Sequence, residues 1–80
     1  MTDTRLLRTR IEESGLKFGY IVKKLNTSYN WLNKKIENEV PFKAYEIQIL
    51  CKMLNIADLD EKERIFFALD VEKNSTKIER

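Results

Sequence analysis

Lys17–Ile36 reads KFGYIVKKLNTSYNWLNKKI, with five lysines and no Asp or Glu. Phe18, Ile21, Val22 and Leu25 fall at i, i+3, i+4 and i+7. That spacing draws one apolar stripe along a helix from about Lys17 to Leu25, with Lys23 and Lys24 pointing away. Asn26-Thr27-Ser28 reads as a tight turn, because Asn is the usual non-Gly residue where φ must be positive. Ser28 (or Thr27) caps a second helix that runs to about Glu37. Its inward residues are Leu32 and Ile36; at about 100° per residue, Asn30, Asn33 and Lys34 fall on the opposite side. Two short helices, a turn and a basic outer surface are the parts of a helix-turn-helix.

The flanking sequence extends the helical reading. Asp3 or Thr4 caps a helix to about Glu13, with Leu7 and Ile11 on one face, and Ser14-Gly15 ends it. Leu16 folds back as the apolar residue beyond that end. Asn38 to Phe42, with Pro41, is a loop. A further helix spans about Lys43 to Leu54, where Ile47, Leu50, Cys51 and Leu54 repeat the apolar spacing; Asn55 stops it and Ile56 packs back. A last helix starts near Asp58 or Asp60, with acids in its first turn and Ile65, Phe66 and Leu69 on its apolar side. Residues 70–80 are polar without a stripe, and a frayed tail is expected. The expectation is an all-α, compact five-helix domain over residues 1–69, with the helix-turn-helix at about 18–37.

Composition supports this class. A chain of 80 residues makes one domain. With 42% hydrophobic residues it can build one core, and two Gly and one Pro leave little room for a turn-rich β fold. The net charge of +2 is small, but residues 1–58 hold ten Lys/Arg against seven Asp/Glu while residues 59–80 hold five against six. The excess therefore sits in the first part, and local charge governs binding to polyanions. The lone Cys51 cannot form an internal disulfide, and no His is present for a metal site or a general base. No Gly-rich phosphate loop or paired carboxylates point to an enzyme, and no cofactor or metal is expected. No apolar run spans a bilayer and no signal peptide is evident, so the expected location is cytoplasmic.

The chemistry in this chain lies on the outer side of the 28–37 helix. Asn makes paired hydrogen bonds to adenine in the major groove of DNA, and Lys reaches guanine or phosphate. Ser28 and Tyr29 open the helix, where side chains project furthest. An ordinary solvated helix is the bland alternative. Trp31 lies beside the polar face: with Lys34 and Lys35 it can pack on the sugar-phosphate backbone, or it can complete the core. Lys17, Lys43 and the loop residue Asn38 can donate to phosphate, with plain solubility as the alternative. Arg8 pairs with Glu12 at i, i+4. Cys51 sits in an apolar stripe and reads as inert core.

Taken together, Phe18 to Ile36 resembles the helix-turn-helix of the phage Cro and repressor (XRE-like) family. Ile21, Val22, Leu25, Asn26 and Leu32 hold the places of that pattern. Val22 stands where Ala is usual, Asn26 replaces the turn Gly, and Thr27 replaces a frequent Ile or Val. Phe18 departs, since that place often holds a phosphate-binding Gln. LRTRIEESGLK, FKAYEIQILCKMLNI and EKERIFFA look like small phage-encoded Cro-type repressors, so the likeness covers about residues 4–69. It implies a sequence-specific regulator of transcription bound to double-stranded DNA. Ser28, Tyr29, Asn30, Asn33 and Lys34 match base-facing positions, and Lys17, Asn38 and Lys43 match backbone-facing ones, with Trp31 and Lys35 beside them. It also implies a homodimer on a near-palindromic site, with recognition helices about 34 Å apart.

Ile65-Phe66-Phe67-Ala68-Leu69 offers more apolar residues than one helix face can bury, so Ile65, Phe66, Phe67 and Leu69 are the expected dimer surface. The same surface supports an alternative: a protein-interaction module, an antirepressor or antitoxin, that binds a partner protein.

Overall fold

The computed structural model describes residues 1–68. Over them the chain forms five helices, α1 (Thr4–Ser14), α2 (Phe18–Lys24), α3 (Tyr29–Ile36), α4 (Ala44–Met53) and α5 (Leu59–Phe66), and no strand. The domain is all-α, as the periodicity predicts. Leu69 and the polar tail 70–80 lie outside the described residues.

Local chemistry sets the helix starts. Asp3 caps α1 by accepting from the Leu6 N–H at 3.0 Å, and Ser28 caps α3 by accepting from the Trp31 N–H at 3.1 Å. Asp58 caps α5 through the Asp60 N–H. Each removes one donor left unpaired at a helix start, worth about 1 kcal/mol.

The ends of α1 to α4 each close on a left-handed residue. Gly15 closes α1 at φ 76, and the three non-Gly residues with positive φ are all Asn: Asn26 (55), Asn38 (68) and Asn55 (58). Each Asn stands one residue beyond a helix cap. Its N–H bonds back to Lys23, Lys35 or Lys52, and the next N–H bonds to Val22, Lys34 or Cys51. This pair of bonds is the Schellman closure, in which the left-handed residue satisfies carbonyls the helix leaves free. The positive φ of Asn26 and the stop at Asn55 follow the sequence reading; Asn38 does the same work at the end of α3.

The stripes converge on one core. Leu7 and Ile11 of α1 meet Ile21, Val22 and Leu25, then Leu32 and Ile36 of α3, Ile47, Leu50 and Cys51 of α4 with Leu54 at its cap, and Ile65 and Phe66 of α5. α2 packs on α3, and α1 packs on both α3 and α5. Ile56 is buried behind the α4 closure and Leu16 lies partly buried against the core. Phe42, in the loop before α4, stands edge-on to Phe66 with centroids 5.7 Å apart.

The first three residues act as a strap. The Asp3 N–H donates to the Ile65 carbonyl at 2.7 Å, and the Ala68 N–H donates to the Met1 carbonyl at 2.9 Å. On the other side, the Asn38 side chain accepts from the Thr2 N–H and donates to the Thr2 carbonyl, both at 2.7 Å. The strap thus ties the end of α3 to the end of α5.

One charged pair differs from the sequence expectation, and a second links α1 to the end of α4 and to α5. Arg8 reaches Glu37 at 2.7 Å across to α3, rather than Glu12 on its own helix. Arg10 donates to the Leu54 carbonyl at 2.8 Å, and its Nε lies 2.8 Å from Glu61, an ion pair rather than an aligned hydrogen bond.

Candidate nucleic-acid interface

α2, the Asn26-Thr27-Ser28 turn and α3 carry the basic surface, and the core holds them rigidly. Ile21, Leu25, Leu32 and Ile36 are at most 1% exposed, so the outer face of α3 is fixed relative to α2. Leu32 and Ile36 face inward as spaced. Opposite them, Asn30 and Asn33 are exposed and Lys34 is partly exposed. Asn30 has no intramolecular hydrogen bond to its side chain among the described residues and is free to meet a ligand.

Asn33 is on the α1 flank of that face. Its carbonyl oxygen accepts from Arg8 at 3.2 Å, and Arg8 is held in turn by Glu37. The amide therefore has a preferred orientation, with its NH₂ directed away from Arg8.

Tyr29 leans back toward α2. Its ring lies 5.6 Å from that of Phe18, tilted by 40°, while 58% of the residue remains exposed. Its hydroxyl sits over Gly19: a Cβ there would lie 2.6 Å from the Tyr29 oxygen. Gly19, unfavourable in a helix interior, gives Tyr29 this close approach. Phe18 stands in the place of a polar residue of the resembled pattern, and here it seats an aromatic of α3.

Trp31 is exposed to 48%, so the core alternative is closed. The Lys34 ammonium lies 5.5 Å from its ring centroid, within cation–π range. Lys24 makes a similar contact with Tyr20 at 5.6 Å. Lys17 and Lys43, the residues preceding α2 and α4, are exposed.

Two expected backbone ligands are otherwise engaged. Lys35 is buried, not exposed: its ammonium pairs with Glu46 of α4 at 2.5 Å, with side chains 8% and 3% exposed. The other Glu46 oxygen accepts from the Lys43 N–H at 2.8 Å. This closes half of a capping box, since a Lys ammonium has no acceptor to return the bond. The physical reason for the correction is angle. Lys35 precedes the inward Ile36 and lies on the flank facing α4, where a buried carboxylate meets it. Asn38 is the second correction: both ends of its amide are spent on Thr2.

The expected association surface also changes. Ile65 is fully buried and Phe66 is 3% exposed, both in the core; Phe67, at 53%, is the exposed aromatic. Leu69 is outside the described residues. Leu59, 73% exposed at the start of α5, lines a shallow depression with Phe67, Lys62 and Glu63. An apolar groove of about 310 Å³ lies on the other side of Phe67, walled by Met1, Pro41, Phe42, Ile47 and Phe66.

Tyr45, 52% exposed beside Lys43, is a further aromatic at the edge of the basic surface. Its place off the Ile47-Leu50-Cys51-Leu54 stripe is readable from spacing alone. Among the described residues no group of His, Cys, Asp and Glu is arranged to hold a metal, and no helix is long and apolar enough to cross a membrane. No protein-family model, curated protein or solved structure matches this chain.

Proposed function

We infer that this chain is a sequence-specific regulator of transcription that binds double-stranded DNA, a Cro-like phage or prophage repressor reading the major groove with α3. One observation carries the reading. Tyr29–Ile36 holds no acid, its outer face has Asn30 and Lys34 at its centre and is set rigidly on α2 by a buried apolar seam, and Glu37 at its C-terminal edge is paired with Arg8. Asn30 supplies the donor–acceptor pair that adenine needs, and Lys34 a cation for guanine or phosphate. Ser28 and Tyr29 flank the helix start, and Asn33 reads from the side held by Arg8. Lys17 and Lys43 meet phosphates, which positions the helix without reading sequence. The protein works in the cytoplasm of its host cell, without cofactor or catalysis, and pairs as a homodimer on DNA through Phe67 and Leu59.

Exposed Phe67 and Leu59 also favour a second reading, docking of a partner protein on the same surface, as in an antirepressor or antitoxin. The two are separated by selecting bound duplexes from a random pool and titrating the winner against salt. The regulator reading expects one enriched, near-palindromic site and affinity that falls steeply with salt. Asn30→Ala and Lys34→Ala each cost about 1–3 kcal/mol on that site, while Lys17→Ala and Lys43→Ala weaken all duplexes alike and each lower the salt slope by about 1. No duplex binding at low salt would leave only the interaction module.

A further inference from the structure

Trp31 and Tyr29 are the two exposed aromatic residues of α3, and Tyr29 leans back on Phe18, which leaves the Trp31 indole as the aromatic surface beside Asn30 and Lys34. It is 48% exposed, yet it is not loose. Its backbone N–H is tied to the Ser28 oxygen at 3.1 Å, so the first turn of α3 is pinned. One turn later, Lys34 holds its ammonium 5.5 Å from the ring centroid. That contact favours one orientation of the ring and leaves much of the indole in water. Asn30 beside it addresses only polar atoms.

The major groove has one apolar feature at base edges, the C5-methyl group of thymine. An indole held at the start of a helix that enters the groove finds its chemical match there. We propose that Trp31 is a specificity-determining residue that reads a thymine methyl, with Lys34 as the positioning residue for its ring. The proposal rests on the reading of α3 as the recognition helix. Packing of Trp31 on the sugar-phosphate backbone would instead act alike at every sequence.

Removing a methyl while keeping the base pair isolates this contact. The full chain is used to select duplexes from a random pool, and each thymine of the enriched site is then replaced singly by deoxyuridine. At one thymine in each half-site the replacement weakens wild-type binding roughly four-fold, the loss of one buried methyl. Trp31→Ala binds the thymine and deoxyuridine duplexes equally, and it keeps the wild-type thermal midpoint because the side chain is exposed. Lys34→Met, which removes the cation and keeps the chain length, reduces the thymine preference. An enriched site in which no thymine behaves this way overturns the role of Trp31 and leaves base reading by α3 standing. If no sequence is enriched, the recognition-helix reading fails and the proposal fails with it.

Discussion

Replacing Lys35 separates a buried structural charge from a phosphate ligand. Its ammonium is 2.5 Å from Glu46, and neither side chain exceeds 8% exposure, so water barely screens the pair. Lys35→Met removes the cation and leaves a carboxylate buried, with one oxygen still bonded to the Lys43 N–H and the other without a partner. Losing one member of a buried pair costs about 3–5 kcal/mol. An 80-residue domain has roughly 4–12 kcal/mol in total, so this variant is close to unfolding at 37 °C. Adding Glu46→Gln neutralises the orphan and keeps an oxygen for the Lys43 N–H. The double variant is expected to return to within about 1 kcal/mol of wild type, because a neutral pair of similar volume avoids the desolvation cost of both ions. Urea unfolding followed by circular dichroism measures all three proteins. The DNA arm uses the folded double variant: the slope of log affinity against log salt stays at the wild-type value, whereas each lost phosphate contact would lower it by about 0.9. A Lys35→Met cost below about 1 kcal/mol, together with a reduced slope, would refute the buried-pair argument and return Lys35 to the phosphate backbone.

Asn26→Gly and Asn38→Gly place the same residue at the same kind of helix end, yet opposite outcomes are expected. Asn26→Gly stays within about 0.5 kcal/mol of wild type, since Gly suits the left-handed position. Asn38→Gly costs about 1–3 kcal/mol in urea unfolding, because the Thr2 N–H and carbonyl lose their partners in the strap. Phe66→Ala costs about 3–5 kcal/mol as a core truncation. Phe67→Ser changes stability little but weakens self-association on DNA, seen by analytical ultracentrifugation with the selected duplex. Burial pushes the Cys51 thiol above its ordinary 9.0, against a smaller opposing effect of Lys62. The fold therefore disfavours the thiolate: its contribution to stability is intact below pH 9.0 and is lost as pH rises through the folded value. Wild type should lose more stability than Cys51→Ala between pH 8 and 10.5 in parallel urea titrations.

The helices were legible because their signals are local. An apolar stripe, a capping Ser or Asp and a left-handed Asn act within a few residues, so Lys17–Ile36 declares its two helices and turn without any knowledge of the core. The same periodicity assigns Asn30 and Lys34 to the outer face. The side chains it could not resolve are those whose partners are distant in sequence. Arg8 has Glu12 within reach on its own helix, but Glu37 and Asn33 lie closer across the interface with α3. Trp31 lies beside the polar face, about 60° from Lys34 and about 100° from Leu32 around the helix; whether such a residue is covered depends on what packs beside α3, and here it is left open.

The sequence by itself therefore determined a five-helix domain, the basic stretch with its two helices and turn, and the side of α3 that faces outward, because helical geometry and capping are short-range. Only tertiary structure decided which polar residues of Lys17–Lys43 remain free. Lys35 is drawn to a buried Glu46, and Asn38 is spent on Thr2, 36 residues away, since an unpaired polar group inside the fold costs more than a surface contact gains. Tertiary structure also divided Ile65, Phe66 and Phe67. The strap and the loop at Phe42 cover the first two and leave Phe67 in water. A count of apolar residues predicts that some must remain exposed, but which ones depends on the elements that arrive from the other end of the chain.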